Sequence, residues 1–208
     1  MTFSRRGRIG RANWVGTMRA RRWRAALLTL SLTGTLTAAM CDSGGTGVVA
    51  TALKREMASE AHVQAAVDSM LQLNRAAAEA LDGCQVHGCT DISGFGLLGH
   101  GREVAKGSGV TLEIDSSAVP LLPGAMEYAR LQAKPGGLKN NREFASPGVE
   151  CAAGLDADLV DLLYDPQTSG GLLVSLPEAG AALMMERYPA ARRIGRVLPE
   201  SGKAIRVR

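Results

Sequence analysis

The chain has 208 residues, of which 46% are apolar, 21% charged and 4% aromatic, a balance that suits one compact domain with an aliphatic core and excludes a disordered or fibrous chain. The net charge of +4 is unevenly spread, because residues 1–40 carry eight arginines and no acid, leaving 16 basic against 20 acidic residues in 41–208. The bulk of the chain is therefore acidic, and with so few aromatic rings to stack on bases, no nucleic-acid partner is expected.

Residues 1–43 form an Arg-rich N-terminal segment unlike the rest of the chain, so the domain proper is read as 44–208. Basic-then-apolar order is that of a signal peptide, but the basic part extends to Arg24 and threonines and serines dilute the apolar part. Ala25 to Met40 is 16 residues long, short of the ~20 that cross a bilayer, so no membrane association is expected. Met40 ahead of Cys41 lacks the small residue of a lipoprotein site. The acid-free bias also fits translation from a misplaced start or a shifted frame. Cys41, Cys84, Cys89 and Cys151 make no C-x-x-C pair and are read as reduced, mostly buried packing thiols.

From Gly44 the pattern becomes orderly. Val48 to Met57 predicts a short helix, and Ser59 is placed to cap a longer one running to about Leu81, with Val63, Val67, Met70, Leu71 and Asn74 on one core-facing stripe. Val86 to Asp91 reads as a strand that enters Ser93-Gly94-Phe95-Gly96, followed by a helix from about Leu97 to Lys106 and a strand from Val110 to Asp115. Pro123 suits the first position of a helix carrying Met126, Tyr128, Ala129 and Leu131. Lys134 to Ala153 is rich in Pro, Gly and Asn and is read as a long functional loop. Asp158 to Tyr164 returns to helix, and a turn from Asp165 to Gly171 leads into a strand at Leu172 to Leu176. A helix from Pro177 to Arg187 and strands near Arg193 to Leu198 and Ala204 to Val207 complete an α+β arrangement.

Two clusters could carry chemistry. Asp91 stands at a strand end beside a Gly turn and a helix start, where phosphate and metal commonly meet. It could equally cap the next helix. Asp165 to Gly171 could line a ligand with hydroxyls and backbone N–H groups, or serve only as a strand-entry turn. The glycines at 94, 96, 99 and 101 make no Walker loop, since no Gly-Lys-Ser or Gly-Lys-Thr follows. His62, His87 and His100 have no ligand spacing, and neither Cys84 nor Cys89 has a neighbouring cation to lower its pKa, so no catalytic residue is identified.

Several blocks in order carry a resemblance. Gly45-Thr46-Gly47-Val48 with Thr51-Ala52-Leu53-Lys54, then Leu73-Asn74-Arg75-Ala76, Thr90-Asp91-Ile92-Ser93-Gly94-Phe95-Gly96-Leu97-Leu98-Gly99-His100, Leu122-Pro123-Gly124, Pro135-Gly136-Gly137 and Asp165-Pro166-Gln167-Thr168-Ser169-Gly170-Gly171 together resemble the C-terminal half of selenophosphate synthetase (selenide, water dikinase). The block from Thr90 to His100 favours this enzyme over its fold relative, aminoimidazole ribonucleotide synthetase. The resemblance implies an α+β domain, the C-terminal domain of the aminoimidazole ribonucleotide synthetase-like fold. It implies ATP-dependent phosphorylation of selenide to selenophosphate with AMP and phosphate released, Mg²⁺ and K⁺ assisting, and a homodimer or a separate N-terminal domain as partner. In this family the N-terminal domain supplies the reactive Cys or selenocysteine, a Lys and further metal-binding aspartates, and none of these is identifiable in residues 1–43. By motif match Asp91 is the metal-binding aspartate of the C-terminal domain. Thr90, Gly94, Gly96, Asn74, Asp165, Gln167, Thr168, Ser169, Gly170 and Gly171 are the nucleotide-site or loop candidates. Use of ATP and reduced selenide implies the cytoplasm, and the chain alone is expected to be inactive. The alternative is a free-standing nucleotide- or partner-binding domain without catalysis.

Overall fold

The computed structural model describes residues 35–38 and 44–208. A seven-stranded mixed sheet is its centre, in the order β2-β5-β1-β6-β3-β7-β4. The strands are β1 (Thr35–Ala38), β2 (Gly88–Asp91), β3 (Val110–Ile114), β4 (Val149–Cys151), β5 (Leu172–Leu176), β6 (Arg192–Pro199) and β7 (Ile205–Val207). Pairs β2–β5, β5–β1, β1–β6 and β6–β3 are antiparallel, whereas β3–β7 and β7–β4 are parallel. The sheet thus takes in Thr35–Ala38, ahead of the Gly44 boundary read from the motifs. The rest of residues 1–43, with the targeting and frame readings and Cys41, lies outside the described residues.

The helices are α1 (Thr46–Lys54), α2 (Glu60–Leu71), α3 (Arg75–Glu79), α4 (Gly96–Ser108), α5 (Ala125–Arg130), α6 (Gly136–Ala145), α7 (Ala157–Leu162) and α8 (Glu178–Arg187). Period-2 alternation puts successive β5 side chains on opposite faces of the sheet. Leu173 joins a large core with α1, α4, α5, α6 and α7, while Val174 and Leu176 join a smaller one with α3 and α8. Helices cover one face along the sheet and the other only at its β5 end, while farther along Arg196, Arg206 and Glu150 reach solvent in ion pairs, and the α+β class is as expected.

Several expectations need correction. The helix after Ser59, whose hydroxyl does accept from the His62 N–H at 3.3 Å, ends at Leu71, and a break at Gln72–Asn74 separates it from α3. Its inward positions are the small residues Ala66 and Ser69, so Val67 and Leu71 face solvent. Pro123 precedes α5 rather than opening it, because Gly124, in the left-handed region at φ 79°, is the cap. The stretch 134–153 is not a loop: α6 buries Leu138, Asn141 and Ala145, an i, i+3, i+7 stripe diluted by glycine and asparagine, and β4 comes after it. Finally, Cys89 and Cys151 are exposed, because β2 and β4 lie at the two sheet edges, and Cys84 is half-buried against the smaller core.

Candidate functional site

Pairing of β2 with β5 sets Asp91 opposite Leu172, so the turn leaving β2 and the turn entering β5 lie side by side. Backbone bonds lace them together: Ile92 N–H donates to the Gly171 carbonyl at 3.1 Å and Gly94 N–H to the Gln167 carbonyl at 2.9 Å. The Ser93 hydroxyl accepts from Gly170 N–H at 2.8 Å. His100, one turn into α4, holds the Ser93 carbonyl through Nε2 at 2.5 Å. Gly96 makes the passage into α4 at φ 69°, and a Cβ there would lie 2.8 Å from the Asp165 carbonyl oxygen. No other residue fits that approach without moving backbone.

Asp165 and Gln167 look inward rather than toward a ligand. The N-cap of α1 is Gly45, which has no side chain to offer the orphan N–H groups of the first turn. Those groups are satisfied from across the chain. Asp165 Oδ2 accepts from Gly47 N–H at 2.9 Å. Gln167 Oε1 accepts from Thr46 N–H at 3.3 Å and from its hydroxyl at 2.9 Å. The same Thr46 hydroxyl accepts from Thr168 N–H at 3.1 Å, and Gln167 Nε2 donates to Asp165 Oδ2 at 3.1 Å. A Cβ on Gly47 would lie 2.7 Å from Asp165 Oδ1, so the carboxylate fits only against glycine.

Asp165 is fully buried. Burial pushes its carboxyl up to about 7, against the opposing pull of the Gly47 and Val48 N–H groups and the Gln167 amide. Its Oδ1 has no hydrogen-bond partner. Asn74, in the break between α2 and α3, donates to the Gly170 carbonyl at 3.0 Å while its own buried Oδ1 is unpartnered. Asn141 carries no signal in any motif block. From α6 it donates to the Gly94 carbonyl at 2.9 Å and the Tyr164 carbonyl at 3.0 Å, tying both turns to a third element. Its burial stripe with Leu138 and Ala145 is the one pattern that could have found it.

Asp91 is the outward member of this assembly. It is exposed, its carboxylate has no hydrogen-bond partner among the described residues, and α4 is capped at Phe95 without a side-chain bond. The helix-cap alternative therefore does not describe it. Thr90 is half-buried and spends its hydroxyl on the Asp91 carbonyl at 3.0 Å. Cys89 shares the Asp91 face of β2, and partial desolvation of its sulfur, with the Asp91 charge adding to it, pushes its thiol up. Thr168 and Ser169 are exposed beside Asp91's turn, Ser169 at φ 53°, whereas Gly170 and Gly171 are buried. The candidates thus fall together in space but divide into an inward set, Asp165, Gln167, Asn74, Gly96, Gly170 and Gly171, and an outward set, Asp91, Gly94, Thr168 and Ser169. Among the described residues no three His, Cys, Asp or Glu side chains group as a metal site. Mg²⁺ on a nucleotide takes one or two carboxylates with phosphates and waters, so Asp91 fits as a single ligand of such an ion.

Residues 32–208 match the family described as AIR synthase related protein, C-terminal domain. Selenide, water dikinase 2 of Peptoclostridium acidaminophilum is 45% identical over 166 residues, 77% of this chain and 48% of the relative. The selenide, water dikinase of Clostridium botulinum (strain Alaska E43 / Type E3) is 42% identical over 165 residues, with 77% and 48% covered. The chain spans about half the length of the curated relatives it matches. Among solved structures, the E. coli hydrogenase maturation protein HypE shares the fold at TM-score 0.58 and 17% identity, over 87% of this chain and 47% of that one.

Proposed function

The chain belongs to the AIR synthase related protein C-terminal domain family, and on that premise we propose that it is the C-terminal portion of a selenide, water dikinase. In the complete enzyme the reaction is ATP-dependent phosphorylation of selenide, giving selenophosphate with release of AMP and phosphate. The observation that carries this reading is the state of Asp91, an exposed carboxylate without a hydrogen-bond partner among the described residues, at the end of β2 beside a turn that neighbouring elements tie down.

Asp91 would be this chain's ligand to Mg²⁺, and the ion would supply charge to the transferring phosphate oxygens. Gly94, Thr168 and Ser169 form the backbone and hydroxyl surface beside it, and Asp165, Gln167, Asn74, Asn141 and His100 fix its shape. K⁺ assistance, a homodimer or a separate N-terminal domain, and a cytoplasmic setting belong to the same proposal. No helix among the described residues is long and apolar enough to cross a membrane. One carboxylate does not complete a phosphoryl-transfer site, so turnover by this chain alone is not expected. That lone carboxylate also favours a second reading, a nucleotide- or partner-binding domain without catalysis.

The test mixes the full chain with the N-terminal half of a selenide, water dikinase and follows AMP and selenophosphate by ³¹P NMR. Products are expected only with both polypeptides, ATP and selenide present. Asp91→Asn should lower the rate about a hundredfold without changing the melting midpoint. Saturable binding with no turnover selects the second reading, and unchanged turnover in Asp91→Asn removes the metal role.

A further inference from the structure

A cavity of about 280 Å³ opens at the end of α4 remote from Asp91. Its walls come from α4 (Arg102, Lys106), the start of β3, the turn at Ser146–Gly148, and the β6–β7 loop (Glu200, Lys203). Three cations and one carboxylate line it, and one of the cations, Arg102, is also ion-paired with Glu103. Arg102 is held in place from several sides: Nη1 donates to Glu103 at 2.8 Å, the guanidinium carbon lies 4.8 Å from the centre of the Phe144 ring, and Gly148 leaves room that a Cβ, 2.9 Å from Nε, would fill. Its buried Nε has no hydrogen-bond partner. Neither Nη2 of Arg102 nor Nζ of Lys106 has one among the described residues. Lys203 Nζ is anchored on the Pro147 carbonyl at 3.0 Å and keeps two N–H donors.

A second basic cleft, of about 310 Å³ and lined by Arg193, Arg196 and Arg208, makes the contrast. There Arg193 is paired with Glu178, and Arg196 and Arg208 both reach Glu113. Every arginine of that cleft is ion-paired, whereas in the first cavity Lys106 and Lys203 have no ion-pair partner among the described residues. Convergent cations with unspent donors favour an anion carrying several oxygens, since each charge-assisted N–H···O bond is stronger than a neutral one. A volume near 280 Å³ is at the small end of ligand pockets, which points to a compact ion rather than a whole nucleotide. Lys106 is ten residues beyond Gly96 on α4, roughly 15 Å along the axis, so one small ion cannot touch both places.

We infer that this cavity binds a small polyvalent oxoanion of the phosphate class. The inference goes beyond the proposed reaction and does not depend on it. Its test is titration of the full chain with inorganic phosphate and with pyrophosphate by calorimetry, at constant ionic strength set with sodium chloride. One saturable site is expected, tighter for pyrophosphate, with amide shifts in ¹⁵N spectra at Gly148 and Gly202. The double variant Lys106→Gln with Lys203→Gln, its fold checked by circular dichroism, should weaken binding about a hundredfold, roughly tenfold for each charge-assisted hydrogen bond removed. Absence of saturable binding, equal affinity in the double variant, or binding abolished instead in Asp91→Asn would each overturn the inference.

Discussion

Replacing Asp165 with Asn tests the interlock between the β5 turn and α1 directly. The carboxyl is pushed up to about 7 from 3.8 because burial penalises its charged form more than the Gly47, Val48 and Gln167 donors favour it. Its folded pKa therefore lies above its unfolded one, and the folded chain binds the proton more tightly. Stability tied to this group is fully present below about pH 4 and is lost as pH rises toward and through about 7. A shift of about three units at 1.36 kcal/mol each makes the loss about 4 kcal/mol by pH 8. Asn is neutral at every pH, and its amide oxygen can still accept from Gly47 N–H, leaving its NH₂ where Oδ1 has no donor. Urea unfolding of both proteins, followed by circular dichroism from pH 4 to pH 8, gives the difference in stability at each pH. Other carboxylates cancel in that difference, including Asp115 and Asp156, which hydrogen bonds to Ser117 and an ion pair with Arg130 hold below the usual range. The difference should move by about 4 kcal/mol in favour of Asn across this range. A flat difference, or one that moves toward the wild type, would mean that the N-terminus of α1 keeps Asp165 ionised, and the reasoning fails.

Gly96→Ala should destabilise by about 2–4 kcal/mol, since it adds a left-handed backbone penalty to a clash with the Asp165 carbonyl; a loss under about 1 kcal/mol would show that the turn yields. Asn141→Ala should cost about 2–3 kcal/mol by stripping the Gly94 and Tyr164 carbonyls of their donor, read from the urea midpoint. Asp91→Ala should leave stability within about 0.5 kcal/mol, as expected for an exposed side chain without a partner, and a larger loss would reveal a structural role.

How much of the chain could be read from sequence depends on the range of the interactions. Strands β2, β3, β5 and β6, the capped start of α2 and the α+β class rest on periodicity and caps, which are local and therefore legible. The inward role of Asp165 rests on a bond to Gly47, 118 residues away, and no local pattern distinguishes such a carboxylate from one facing a ligand. Helix α6 was hidden because Gly136, Gly137, Asn140 and Asn141 are poor helix formers, and its stability comes from packing Leu138 and Ala145. The break at Gln72–Asn74 likewise has a tertiary cause, since it delivers the Asn74 amide to the Gly170 carbonyl. Spacing alone cannot say which of two faces meets the core, and here Ala66, packed in the same core as Val48, Val49 and Ala52 of α1, faces inward while Val67 and Leu71 do not.

The two aspartates that anchor the long motif blocks divide the work of the site between them. Asp165 is buried, engaged by two elements and costly to ionise, which suits it to fixing the position of a backbone turn. Asp91 is exposed and unengaged among the described residues, which suits it to the metal role proposed above. Their roles cannot be exchanged. A free carboxylate at 165 would leave the first turn of α1 uncapped, and a buried one at 91 would have no open face for a metal. The rigid lacing of Ser93, Gly94, Gln167 and Gly170 lets the fold absorb the cost of burying Asp165 while Asp91 stays free to bind.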